Sequence, residues 1–353
     1  MPRRRARPCG GLHVVRPGER ADGGAGPAAS AEAEEASLFG LAPVSPDLVA
    51  AYGDDRDQVV DFYLPEAGTD AGTDAEAGAG AGAAAPPAPL VLLFHGGAWR
   101  APYDRRHLSP FAAYLAGRGF VVASVEYRRG GPDGGDGSGP RAGRWPETLD
   151  DIAAAVDTVP GLARGLALPV DPARVVLAGH SAGGHAALWA AARHVLPPDC
   201  RWYLPSPPPV CGVVALAPIA DFATARELRV CSDAVRQFLD LPDALDTPDT
   251  PGTSDNQIHQ DRLPLADPAA LLPTAVPTTI VQGATDIDVP PRVADAFTEA
   301  ARRAGQQVRA VRLAATGHFP LIDPTAPAVR TVADEIADLA RERPRRKAVA
   351  SEA

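Results

Sequence analysis

The sequence predicts an α/β protein with a mostly parallel central sheet covered by helices on both faces. Three observations carry that expectation. Short apolar runs alternate with amphipathic stretches at helical spacing along most of the chain, the rhythm of strand–helix–strand units. Several of those runs are apolar throughout rather than every second residue, as strands buried on both faces must be. One of them, Val175-Val-Leu-Ala178, breaks at Gly179-His-Ser181-Ala-Gly183 just before an Ala-rich helical stretch.

In chain order, Gln58–Leu64 alternates and reads as a strand, followed by buried strands at Leu90–Phe94 and Phe120–Val125. Helical patterns cover His107–Arg118 and Glu147–Val159. The strand at Val175–Ala178 leads into a helix over Ala182–His194, and Val210–Leu216 is the next apolar strand. Residues 217–273 interrupt the rhythm. They are helical over Ala223–Leu239 and then rich in Pro and Asp, the composition of an insertion above the carboxyl edge of the sheet, where ligands bind in open α/β folds. Strands at Thr278–Gln282 and Val308–Leu313 and helices at Val293–Ala304 and Ala326–Arg341 complete the pattern, the last with Val329, Val332, Ile336 and Leu339 on one face.

The 34 glycines and 38 prolines concentrate in particular segments. Residues 1–40 read as a disordered, low-complexity leader, because Met1-Pro-Arg-Arg-Arg has the basic start of an export signal but no apolar stretch follows. Flexible loops are expected at 68–89 and 130–143, and a disordered tail at 344–353, leaving 41–343 as one domain with 217–273 as a cap-like insertion. A net charge of −10 argues against nucleic acid as a partner, and no apolar run of about 18 residues offers a membrane span. Cys9, Cys200, Cys211 and Cys231 show no metal-ligand spacing. They read as reduced thiols of a cytoplasmic protein, with a Cys200–Cys211 bridge as the exception.

The chemistry sits at the break. Gly-x-Ser-x-Gly between a strand and a helix is the signature of a nucleophile elbow, a strained turn that holds a serine at its apex. A serine hydroxyl needs a base and an orienting acid. Asp286, in Gly283-Ala-Thr-Asp286-Ile-Asp-Val-Pro290 after a strand, is expected to be the acid in preference to Asp288. His318, in Thr316-Gly-His318 after the last strand, is expected to be the base. Ser, Asp, His is the chain order of this arrangement. His95-Gly-Gly-Ala-Trp99 directly follows a buried strand and places small residues where backbone amides must face a developing negative charge. Gly97, Ala98 and Ala182 are the expected oxyanion donors. His95 is expected to anchor that loop, while Trp99 and His180 are expected to line the substrate site, with plain packing the alternative for Trp99.

His95-Gly-Gly-Ala-Trp99, Gly179-His-Ser-Ala-Gly-Gly184, the Asp286 loop and Gly317-His318 together resemble the α/β-hydrolase superfamily. The resemblance is to the esterase/lipase branch with an H-G-G-x-W motif, which includes kynurenine formamidases, feruloyl-esterase-like enzymes and hormone-sensitive-lipase-like esterases. Val125-Glu-Tyr-Arg128 and Trp145-Pro-Glu-Thr-Leu-Asp-Asp-Ile152 extend it, and it covers Leu41 to Arg341. It implies an α/β-hydrolase fold with a partly helical insertion after the sixth strand. It also implies a serine hydrolase that cleaves the carboxylic ester of a small substrate through an acyl-enzyme. An arylformamidase acting on an N-formyl-kynurenine-type amide is the alternative. A binding module without catalysis is a further one, against which every triad and hole residue is present. No metal or organic cofactor is required, and a monomer or homodimer is expected.

Overall fold

Eight strands form one sheet in the order β1-β2-β4-β3-β5-β6-β7-β8. They are β1 (Leu48–Ala51), β2 (Val59–Tyr63), β3 (Ala88–Phe94), β4 (Val121–Val125), β5 (Val170–His180), β6 (Gly212–Leu216), β7 (Thr278–Gly283) and β8 (Arg309–Leu313). The first two are antiparallel additions; from β4 to β8 every neighbouring pair is parallel. The computed structural model describes residues 27–66, 87–131, 140–241 and 261–341. The start of the leader with Cys9, most of the 68–89 loop, the centre of the 130–143 loop, His259 and the 344–353 tail lie outside the described residues.

Every residue of β3, β4 and β6 is buried, which is why those segments read as unbroken apolar runs. At the far edge β8 alternates exposed and half-buried positions. Arg309 pairs there with Glu335 at 2.7 Å, and Arg312 pairs with Asp295. Charges on an edge strand discourage pairing with another chain.

Two apolar layers flank the sheet. One packs α2 (Ser109–Ala116) and α8 (Ala328–Arg341) against Val91, Leu93, Val122, Val176 and Val214. The other packs α3 (Glu147–Gly165), α4 (Ala182–Ala192) and α7 (Pro291–Arg303) against Leu90, Leu92, Leu177, Val213 and Ile280. The carboxyl ends of β3, β5, β7 and β8 all lead toward one rim, where the loops carrying the motifs lie.

Three expectations need correction. The leader assigned to residues 1–40 contains a helix, α1 (Pro27–Phe39), whose Leu38 is buried. Its Ala- and Glu-rich composition looks like low complexity, yet those are strong helix formers, and Leu38 and Phe39 give it an apolar end to dock. The helix expected over Ala223–Leu239 is broken: after α5 (Phe222–Glu227) the backbone is left-handed at Arg229 (φ 52°) and again at Cys231–Asp233 (φ 49–59°), so α6 (Val230–Phe238) runs right-handed only beyond Asp233. β1 was not anticipated, because four residues at an edge carry too short a pattern to read.

Candidate active site

Ser181 stands between β5 and α4 with φ 57° and ψ −117°, a conformation that costs an ordinary residue about 1–3 kcal/mol. Its amide donates to the Leu216 carbonyl at 2.8 Å, and its own carbonyl accepts from His185 at 3.1 Å, so the turn is held from both sides. The flanking glycines are there for space. A Cβ on Gly179 would lie 2.1 Å from the Gly183 carbonyl oxygen, and one on Gly183 would lie 2.0 Å from that of Phe94.

His318, in the turn after β8, faces the same pocket as Ser181. Its Nδ1 donates to Asp286 Oδ2 at 2.7 Å, leaving Nε2 as the nitrogen available to a hydroxyl. Asp286 is itself fixed: Oδ1 accepts from the Asp288 and Val289 amides, both at 2.9 Å, and Oδ2 accepts from Gln282 at 3.1 Å. The carboxylate behind the imidazole is therefore that of Asp286. Asp288 instead lines the pocket, and burial raises its pKa. Burial alone would lower the pKa of His318, but the charge and hydrogen bond of Asp286, helped by Asp288 and Glu34, raise it overall.

Gly97 and Ala98 line the pocket beside Ser181, with φ of 96° and 50°. Ala182 opens α4, where the first amides of a helix have no partner within the helix. His95 anchors this loop from below. Its Nε2 lies 2.9 Å from Glu126 Oε1, its ring stacks on Tyr127 at 4.3 Å, and the Tyr127 hydroxyl donates to its carbonyl at 2.6 Å.

Trp99 takes the packing alternative. It is fully buried and stacks on Phe238 of α6 at 4.5 Å, edge-on to His185 at 5.1 Å. Its carbonyl accepts from Gly130 and Gly143, pinning both ends of the 130–143 loop. His180 does face the pocket, but its Nε2 donates to the His318 carbonyl at 3.0 Å, and burial holds its pKa well below the usual histidine value. It acts as a neutral strut for the histidine loop as well as a wall.

Several pocket residues were not foreseen. Glu35 and Phe39 come from α1, Tyr103 and His107 from the segment after the His95 loop, Cys231 from the insertion, and Phe319 from beside His318. Composition pointed away from α1. For Cys231 the only signal was the position of the insertion. The cleft is open on one side, with Ser181, His318, Gly97 and Ala98 all facing it.

Three solved structures share the fold. A truncated carbohydrate esterase from gut microbiota is 18% identical, with a TM-score of 0.61 over 85% of this chain and 99% of that one. Esterase B from Lactobacillus rhamnosis, inhibited by a tributyrin phosphonate, is 18% identical, with a TM-score of 0.62 over 88% and 92%. The butyrate-bound esterase Est2 of Thermogutta terrifontis is 19% identical, with a TM-score of 0.55 over 84% and 93%. A comparison with curated protein sequences finds no match. The BD-FAE family model matches residues 81–300, a span that holds the His95 loop, the Ser181 elbow and Asp286. With the motifs, the sheet order and that match in agreement, the chain belongs to the BD-FAE family of esterase-like α/β-hydrolases.

Proposed function

We propose that the protein is a serine hydrolase of small carboxylic esters, working through an acyl-enzyme. The observation that carries this is a serine at a strained apex sharing one pocket with a histidine whose far nitrogen is tied to a buried carboxylate. Ser181 attacks the ester carbonyl while Nε2 of His318 takes its proton. Asp286 keeps the imidazole in the tautomer that can accept it and stabilises the imidazolium that forms. The amides of Gly97, Ala98 and Ala182 receive the oxyanion; losing one such donor costs about 3 kcal/mol of barrier. His318 then returns the proton to the leaving alcohol, and water attacks the acyl-enzyme by the same route. Ester hydrolysis, rather than the formamide alternative, is the reading favoured by the likeness to esterases.

A fluorophosphonate probe and p-nitrophenyl butyrate test it. The wild-type protein should be labelled stoichiometrically and turn over the ester. Ser181→Ala should lose labelling and about six orders of magnitude in kcat. Labelling that survives the substitution would move the nucleophile elsewhere.

A further inference from the structure

We propose that Glu34 of α1 is a positioning residue for this reaction, holding the Gly317–His318 backbone so that the imidazole faces Ser181. The inference rests on the serine-hydrolase reading above and extends the machinery to a helix outside the sheet.

The Nδ1 bond to Asp286 fixes how the His318 ring is turned, but where the ring sits depends on the loop that carries it. Among the described residues, three hydrogen bonds from outside the loop hold its backbone. The Thr285 amide donates to the Thr316 carbonyl at 3.0 Å, and His180 donates to the His318 carbonyl at 3.0 Å. Both come from segments next to the sheet. The third comes from 283 residues away in sequence: the Gly317 amide donates to Glu34 Oε1 at 3.0 Å. Behind the loop, the Gly317 carbonyl would lie 2.2 Å from a Cβ placed on Gly283 at the end of β7. Gly317 is thus pressed between β7 on one side and the Glu34 carboxylate on the other. A Cβ at 317 would fall 1.9 Å from Glu34 Oε2, so the glycine of the Gly-His pair leaves room for this carboxylate.

Stability alone does not explain the arrangement. Glu34 Oε2 is buried and has no hydrogen-bond partner among the described residues, a state that costs folding free energy. Burial raises the pKa of Glu34, the Gly317 amide and His318 oppose that rise, and Asp286 and Asp288 add to it. The helix has other means of docking. Ser37 donates to Asp323 at 2.6 Å, Leu38 is buried, and the Phe39 ring packs against Phe319 at 5.8 Å. A carboxylate kept at a cost, with its hydrogen bond on the residue before the base, has its use at the base.

Four full-length variants test this through kcat and KM on p-nitrophenyl butyrate, the fluorophosphonate inactivation rate and the melting temperature. Glu34→Ala should lower kcat and the inactivation rate about 10- to 100-fold with KM moved by less than about threefold, the pattern of a misplaced catalytic group. Glu34→Asp keeps the charge but is one methylene too short, and should fall similarly. Glu34→Gln offers an amide oxygen to the same N–H and should recover to within about threefold of wild type. Ser37→Ala loosens α1 away from the loop and should also stay within about threefold. The proposal is overturned if Glu34→Ala and Glu34→Asp keep wild-type kcat, or if Glu34→Gln falls as far as Glu34→Asp. A drop in Ser37→Ala matching that of the Glu34 variants would overturn it too, since helix docking would then be the cause. If Glu34→Ala does not fold, the Asp and Gln pair still decides. A wild-type protein inert to both ester and fluorophosphonate sinks the hydrolase reading itself. An active one indifferent to position 34 sinks this inference alone.

Discussion

Two histidines 4.3 Å apart in this pocket have their pKa values pushed in opposite directions. Burial keeps the pKa of His180 well below its usual value, with the neighbouring His318 adding to the effect. Burial also acts to lower that of His318, but Asp286, then Asp288 and Glu34, raise it above the ordinary 6.5. A base must be unprotonated to accept the serine proton, so a raised pKa moves the acid limb of kcat/KM to higher pH. Asp288→Asn keeps the amide that holds Asp286 but removes one of the negative charges favouring imidazolium. Its acid limb should shift to lower pH in a pH–rate profile with p-nitrophenyl butyrate. A limb that stays put or moves up would show that the Asp288 charge does not reach the imidazole. The residues proposed for catalysis stood out in the sequence because each sits in a short motif fixed by local backbone need. The glycines on either side of Ser181 are obligatory, because a Cβ on Gly179 or Gly183 would meet backbone within about 2 Å. The place of Trp99 was not legible, since its burial depends on Phe238, a partner 139 positions away.

At the scale of elements, the loop after β3 is shaped by a carboxylate that follows β4. Glu126 accepts from His95 at 2.9 Å, from the Tyr127 amide at 3.1 Å and from the Arg105 amide at 3.2 Å, and it pairs with Arg129 at 3.2 Å. Burial opposes its charge, but His95, then Arg129 and the Arg105 amide, outweigh it and bring the pKa down to about 2. A depressed carboxylate stabilises the fold above its unfolded pKa near 4.5, and that contribution is lost as pH falls toward about 2. Glu126→Gln should therefore cost about 3 kcal/mol or more in urea denaturation at pH 7, because it leaves the largely covered guanidinium groups of Arg105 and Arg129 without their shared carboxylate. The gap to wild type should narrow steadily as the pH is lowered from 5 to about 3; a constant gap would mean that packing, not charge, is what the substitution removes. Of the strands, seven of the eight were legible, six from apolar runs and β2 from its alternation. Within them the ends moved by a few residues, and β5 begins well before its apolar run, at Val170. Helix patterns were equally clear except where the signal was non-periodic: the left-handed turn at Arg229 breaks a sequence that looks continuous.

For the molecule as a whole, the net charge and the reach of α1 combine to make one wall of the pocket acidic. The chain carries a net charge of −10, and the residues lining the cleft include Glu35 and Asp288 with no lysine or arginine among the described ones. The first of those carboxylates comes from a segment whose composition suggested no structure at all, so the acidic wall could be assembled only from the tertiary fold. Such a field repels an anionic substrate before and after it enters, and salt weakens the repulsion as the Debye length falls from about 30 Å at 0.01 M to about 8 Å at 0.15 M. With p-nitrophenyl butyrate and p-nitrophenyl hemisuccinate, which match in acyl length and differ by one carboxylate, the neutral ester should show the higher kcat/KM by about tenfold or more at low salt. Raising the ionic strength should narrow that ratio, and Glu35→Gln should narrow it further at low salt while leaving the butyrate rate near wild type. Equal rates on the two esters at low salt, or a ratio indifferent to both salt and Glu35→Gln, would mean that the acyl chain lies out of reach of this wall.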